Sequence, residues 1–153
     1  MANTQAMCSQ FKLDLMNGNH AFAATGQTRG ATTKDSYKAA LYLTTATVNA
    51  STTVYTSTGE VSGTGYTAGG VAVTTGTAPA LDGTTAHFTP SASIVYSSVT
   101  LSSSFDAVLF YNDSHTTKYA VSVHTFTAQT VTAGDFTLTM PTNDGTTGLI
   151  RLA

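Results

Sequence analysis

The residue types on which most protein chemistry depends are few in this chain. There are four histidines (His20, His87, His115, His124), one cysteine (Cys8), and eight carboxylates: Asp14, Asp35, Glu60, Asp82, Asp106, Asp113, Asp135 and Asp144. Asp113-Ser114-His115 holds the three residue types of a hydrolytic triad. A triad, however, gathers nucleophile, base and orienting acid from separate elements around an oxyanion site, which three consecutive residues of one turn cannot do. Asp and Ser at such a place have a simpler use, since both side chains hydrogen-bond local backbone. The histidines match no zinc-ligand spacing and read as solvated or hydrogen-bonded rings; one of them could still ring an oligomer axis. No two carboxylates sit at a local spacing that suggests a calcium loop or an acid and base pair, although folding could unite distant ones as a glycosidase does. The expectation is a protein that is not an enzyme and holds no cofactor or metal.

Gly63-x-Gly65-x-x-Ala68 formally satisfies the dinucleotide-binding fingerprint, whose glycines bring a backbone close to pyrophosphate at a helix N-terminus. The next residues, Val71-Ala72-Val73-Thr74-Thr75, are alternating and β-branched, so a strand follows where the fingerprint needs a helix. Gly63, Gly65, Gly69 and Gly70 therefore read as a structural turn. Glu60, the only Glu, precedes it, and its expected role is a hydrogen bond or ion pair that fixes that turn. Asn49-Ala50-Ser51 and Asn112-Asp113-Ser114 fit the glycosylation sequon by chance in a Ser/Thr-rich chain.

The elements that would position these residues are nearly all strands. Residues 4–17 form the one helical pattern, with Met7, Phe11 and Leu15 every four residues, Asn3 or Thr4 to cap the start and Gly18 to close the end. A helix this short is marginal alone, so the Met7, Phe11, Leu15 stripe must dock on the core or anchor on another subunit. Residues 18–34 read as a loop or flexible arm, making 1–34 an N-terminal appendage to a β domain over 35–153. Period-two patterns place strands at 37–44, 71–74, 85–89, 93–101, 105–112, 118–126, 135–140 and 148–152, with a turn over 76–84 and a six-residue hairpin connection at 112–117. Short strands with one helix predict an all-β protein, an antiparallel β-sandwich or jelly-roll-like barrel with one short N-terminal helix.

With 153 residues one core suffices, and only 9 % of residues are charged where a typical domain has about 25 %, so Ser and Thr must supply the polar surface. Six cations against eight carboxylates give a formal charge of -2. Lys12, Arg29, Lys34, Lys38, Lys118 and Arg151 are too dispersed to neutralise a phosphate backbone, so nucleic acid is not an expected partner. A weakly charged surface resists association weakly, which suits a protein that lies against neighbours. One cysteine excludes an internal disulfide framework and fits folding in a reducing cytosol. Ala21-Phe22-Ala23 imitates a signal-peptidase site, but Lys12, Asp14, Asn17, Gly18, Asn19 and His20 interrupt the apolar run it needs. No stretch of about 18 apolar residues predicts a membrane span.

Several blocks together resemble a family of small structural proteins of tailed bacteriophages and prophages. They are Cys8-Ser9-Gln10-Phe11-Lys12-Leu13-Asp14-Leu15, Asn19-His20-Ala21-Phe22, Tyr37-Lys38-Ala39-Ala40-Leu41-Tyr42 and, most specifically, Glu60 to Gly70. Tyr111-Asn112, Ala120-Val121-Ser122-Val123, Gly134 to Pro141 and Leu149-Ile150-Arg151-Leu152 extend the likeness over nearly the whole chain. Members carry a central Trp and a Phe-Gly segment after the hairpin, whereas this chain has no Trp and reads Thr125-Phe126-Thr127 there. The resemblance implies a component of a phage particle made in the bacterial cytoplasm. The leading expectation is a capsid decoration or cement protein that ties neighbouring major capsid subunits together and associates with copies of itself, a trimer fitting the local three-fold positions of a head lattice. The alternatives are a neck, tail or fibre-like component, and a carbohydrate-binding β-sandwich that would display its tyrosines.

Overall fold

Three strands hold the molecule together: β2 (Tyr37–Leu43), β6 (Ile94–Asn112) and β7 (Ala120–Leu138). The computed structural model describes residues 2–22 and 34–153, so the middle of the expected arm, including Arg29, lies outside the described residues. In β2 every residue from Ala39 to Tyr42 is fully buried, which means both faces of the sheet are covered. Antiparallel pairing sets the order β1-β7-β6-β2-β3, with β1 (Ala6–Met7) and β3 (Val71–Val73) at the edges. A second antiparallel sheet has the order β4-β5-β8, formed by β4 (Ala80–Asp82), β5 (Thr85–Phe88) and β8 (Ile150–Leu152). The protein is an all-β sandwich of two antiparallel sheets with one short helix, α1 (Ser9–Asn17), and the sheets do not close into a barrel.

One face of the large sheet is filled by aromatic rings in series. Phe11 meets His20 edge-on at 4.9 Å, Phe22 stacks on Tyr37 at 4.7 Å and lies 4.7 Å from Phe88, and Tyr37 stacks on Phe110 at 5.1 Å. This chain of rings ties α1, the large sheet and β5 into one core. Residues 44–70 supply a second set of contacts: Tyr55 stacks on Tyr111 at 4.8 Å, and the Leu43, Val61 and Tyr55 amides bond to Gly59, Leu41 and Lys118 carbonyls.

Several boundaries differ from the sequence pattern. The strands expected at 93–101 and 105–112 are one 19-residue strand, and those at 118–126 and 135–140 are another, paired from Ile94↔Leu138 to Tyr111↔Ala120. Ser97-Ser98, Ser102 to Ser104 and Gly134 look like breaks in sequence but lie in stretches where the ladder shifts register and continues. Ser98 and Ala133 take left-handed φ of 53° and 47°, and their amides are satisfied by Asp135 Oδ1 at 2.7 Å and Thr100 Oγ1 at 3.1 Å. The connection that joins the two long strands runs from Asp113 to Tyr119. Within 76–84 the structure adds β4, which turns into β5 through Gly83 at φ 59°.

The helix begins at Ser9, not at residue 4. Ala6 and Met7 pair instead with Val123 and Ser122, because an apolar dipeptide beside an unpaired strand edge gains a ladder. Asn3 and Thr4 therefore cap nothing: Asn3 bonds to Asp106 at 2.6 Å and to the Val48 amide at 3.0 Å, while Cys8 stands at the N-cap and makes no capping bond with its side chain, which donates instead to the Asn49 carbonyl. Gly18 closes the helix at φ 70°.

Candidate functional site

The densest polar constellation surrounds Glu60. Its Oε1 accepts hydrogen bonds from the Tyr66 hydroxyl and the Gly69 amide, both at 2.7 Å, and its Oε2 accepts from the Tyr55 hydroxyl at 2.7 Å. Tyr66 in turn accepts from the Leu41 amide at 3.0 Å, and Tyr111 donates to the Gly69 carbonyl at 2.8 Å. The glycines permit this closeness. A Cβ on Gly70, which has φ 75°, would lie 1.7 Å from the Ala39 carbonyl oxygen, and one on Gly63 would lie 2.0 Å from that of Thr100. Gly65 packs in the same way on Ser98, and Gly69 borders the Tyr111 hydroxyl. Burial, followed by the hydrogen bond to the Glu60 carboxylate, pushes the Tyr55 phenol up to about 12; the same causes raise Tyr66 further. These phenols stay protonated and donate, so the carboxylate, with three donors, anchors a turn.

A second cluster was not foreseen from spacing. Asp14 is 1 % exposed; its Oδ1 accepts from Gln10 Nε2 at 2.9 Å and Asn19 Nδ2 at 3.2 Å, and its Oδ2 lies 3.9 Å from His20 Nε2. Asn112, fully buried, donates to the Asn19 carbonyl at 3.0 Å and to Asp35 Oδ2 at 2.7 Å, while its Oδ1 accepts from the Ser114 amide at 2.9 Å. Burial lowers the His20 pKa, and Asp14 and Asp35 pull it the other way without overcoming that loss. The cluster staples the segment after α1 to the hairpin turn. Its only sequence signal was a polar Asn ending an apolar strand.

The triad-like residues are not brought together as a triad. Asp113 is held by Lys38 at 3.2 Å and Lys118 at 2.5 Å; partial burial opposes its ionisation, but the two ammonium groups outweigh that and lower its pKa. Ser114 accepts from the Ser36 amide at 2.7 Å, and His115 packs on the Tyr119 ring at 4.4 Å. His87 bonds to Asn143 at 3.0 Å. Ser122 and His124, two apart on β7 and so on one face, do form a pair, with Oγ and Nε2 2.9 Å apart. Burial lowers His124 to about 4, and among the described residues no carboxylate orients its ring, so the pair lacks both the basicity and the third member a nucleophile needs. It borders a groove of about 700 Å³ between the sheets, lined also by Gln5, Met7, Thr85 and Arg151. Among the described residues, no three His, Cys, Asp or Glu side chains come together as metal ligands. No described helix is long and apolar enough to cross a membrane.

Met7, Phe11 and Leu15 do not make one helical stripe, because Met7 belongs to β1. Phe11 is 1 % exposed and inside the core, and Met7 and Leu15 pack half-buried against it. Among the described side chains of α1, the exposed large apolar one is Leu13. Comparison of the chain with family models, with curated proteins and with solved structures finds no match in any of the three.

Proposed function

We propose that this chain is a structural protein of a tailed-bacteriophage particle, and that it serves as a decoration or cement protein on the head, binding neighbouring major capsid subunits. The observation that carries the reading is that the block in which its sequence most resembles that family, Glu60 to Gly70, is spent on packing: its carboxylate takes three donors and its glycines sit against strand backbone. A body stiffened in this way, with only 9 % of its residues charged, works through what it touches. Catalysis has no comparable support, since Asp113 is held in ion pairs, Ser114 accepts a turn amide and His115 packs on a ring.

A carbohydrate-binding role asks for an aromatic platform open to solvent. Tyr37, Tyr42, Tyr96 and Tyr111 are at most 1 % exposed, and Tyr55 and Tyr66 are half-buried against Glu60, which leaves the decoration role better supported.

Counting copies in purified particles by quantitative mass spectrometry tests the reading. A head decoration protein is present in hundreds of copies, roughly, and a neck or tail component in about a dozen, as the symmetry of each location requires. The first count is expected; the second would move the chain to the neck or tail, and absence from particles would overturn the virion role.

A further inference from the structure

The three-stranded sheet has two different faces. On one, Asp82, His87 and Arg151 meet the loop at 142–148: Asp82 accepts from the Gly145 amide, His87 bonds to Asn143, and Arg151 donates to the Thr146 carbonyl. On the other, Phe88 and Ile150 are 2 % and 5 % exposed and join the core. Two residues further along, that apolar face runs past the edge of the core. Leu81, Ala86 and Leu152 are directly paired across the three strands and form one row, with Leu81 71 % and Leu152 40 % exposed. Four large apolar side chains are exposed among the described residues, and the other two, Leu13 and Val95, belong to other elements. A leucine at each end of one row is therefore a continuous feature, where single exposed apolar residues are commonplace.

The outer edges of β4 and β8 also lack a strand partner among the described residues. Such edges are templates for further pairing. We propose that copies of this chain associate through this sheet, the β8 edge of one copy meeting the β4 edge of the next.

Three features of the sheet favour a second copy in this order. Both edge strands are antiparallel to β5 and hence parallel to each other, so a rotation that repeats the sheet sets β8 beside the next β4 without reversing either. Leu152 then lies beside the neighbour's Leu81, and the apolar row continues across the joint. Asp82 and Arg151 are the only carboxylate and the only strong cation of the three strands, and they stand on opposite edges. Unlike edges bring these opposite charges together, whereas like edges would set Asp82 against Asp82 or Arg151 against Arg151. A head-to-tail contact of this kind closes into a ring when the rotation permits. The strands are three residues long, so single contacts are weak and association rises with concentration.

The inference rests on the small sheet alone and not on the virion reading, and either can fail without the other. Sedimentation velocity of the full chain from dilute to concentrated solution tests it. Association that grows with concentration is expected, with Leu81→Lys and Leu152→Lys each reducing the chain to monomers. An equimolar mixture of those two variants retains one intact β8 and one intact β4 and should form pairs and nothing larger. Because both leucines are exposed, the substitutions spare the core. A wild-type chain that stays monomeric throughout, as it would if the edge served a different protein, overturns the proposal, and so does either lysine variant that associates like wild type. In the Leu81→Cys, Leu152→Cys double variant, oxidation should give a covalent ladder. Efficient dimers from Leu81→Cys alone would mean that like edges meet, and would overturn the stated order.

Discussion

The two sheets of this chain differ in how completely they are covered. The five-stranded sheet has β2 buried on both faces, with the aromatic series against one side and the Glu60 network among the residues that pack on it. The three-stranded sheet buries Phe88 and Ile150 and leaves the next row, Leu81, Ala86 and Leu152, to solvent. The first arrangement fixes a shape; the second leaves a surface to be covered. Substitutions should therefore be severe in one region and nearly silent in the other.

The widest separation is expected between two glycines that both have positive φ. Gly70→Ala drives a methyl to 1.7 Å from the Ala39 oxygen and should cost about 4 kcal/mol or more, whereas Gly83→Ala in the β4–β5 turn meets nothing within 4 Å and should cost about 1 kcal/mol. Urea unfolding of the two variants reads the difference, and equal costs would erase the contrast. On α1, Phe11→Ala should cost about 3–4 kcal/mol and Leu13→Ala less than about 0.5 kcal/mol in thermal unfolding. A Phe11 variant as stable as wild type would return that residue to the role of an anchor on a partner.

Acid should act on the covered region. Burial depresses the pKa of His124 to about 4 and also lowers that of His20, so the unfolded chain binds protons that the folded chain refuses. Their contribution is complete above the unfolded value of about 6.5 and is lost as pH falls from there toward about 4, amounting to about 3 kcal/mol for His124. Denaturant midpoints across that range should fall with pH, and His124→Gln should flatten the slope. At the turn, Glu60→Ala removes the acceptor of three donors and should cost about 2–3 kcal/mol, with Glu60→Gln nearer 1 kcal/mol. The smallest effect belongs to the open sheet: Leu81→Lys should leave the dilute chain's unfolding free energy within about 0.5 kcal/mol of wild type.

How much of this was legible in the sequence follows from the range of the interactions. The strand at Tyr37, the hairpin pairing around residues 108 and 124 and the glycine turn are specified by period-two patterning and by φ requirements, which are local. The continuity of β6 and β7 was hidden because serine and glycine mark a bulge as readily as a break, and only pairing across the hairpin distinguishes them. Helix α1 lost its first turn to an edge that residues 122 and 123 provide from far along the chain. The Glu60 interaction with its turn was readable from proximity, but its three donors include Tyr55 and Tyr66, whose convergence needs the fold. The Asp14, His20 and Asn112 cluster spans nearly a hundred positions and has no local signature. The leucine row was invisible because β4 was read as turn, although Asp82-Gly83 is a hairpin signal.

Hydrogen exchange at low and at high protein concentration tests most directly the division between a finished core and an open sheet. Amides of β2 and of the paired segments at 105–112 and 120–126 should exchange slowly at both concentrations. Those of β4 and β8 should exchange quickly when dilute and become protected when concentrated. Protection of β4 and β8 that is already complete in dilute monomer, or that never changes while another surface gains it, would contradict the account.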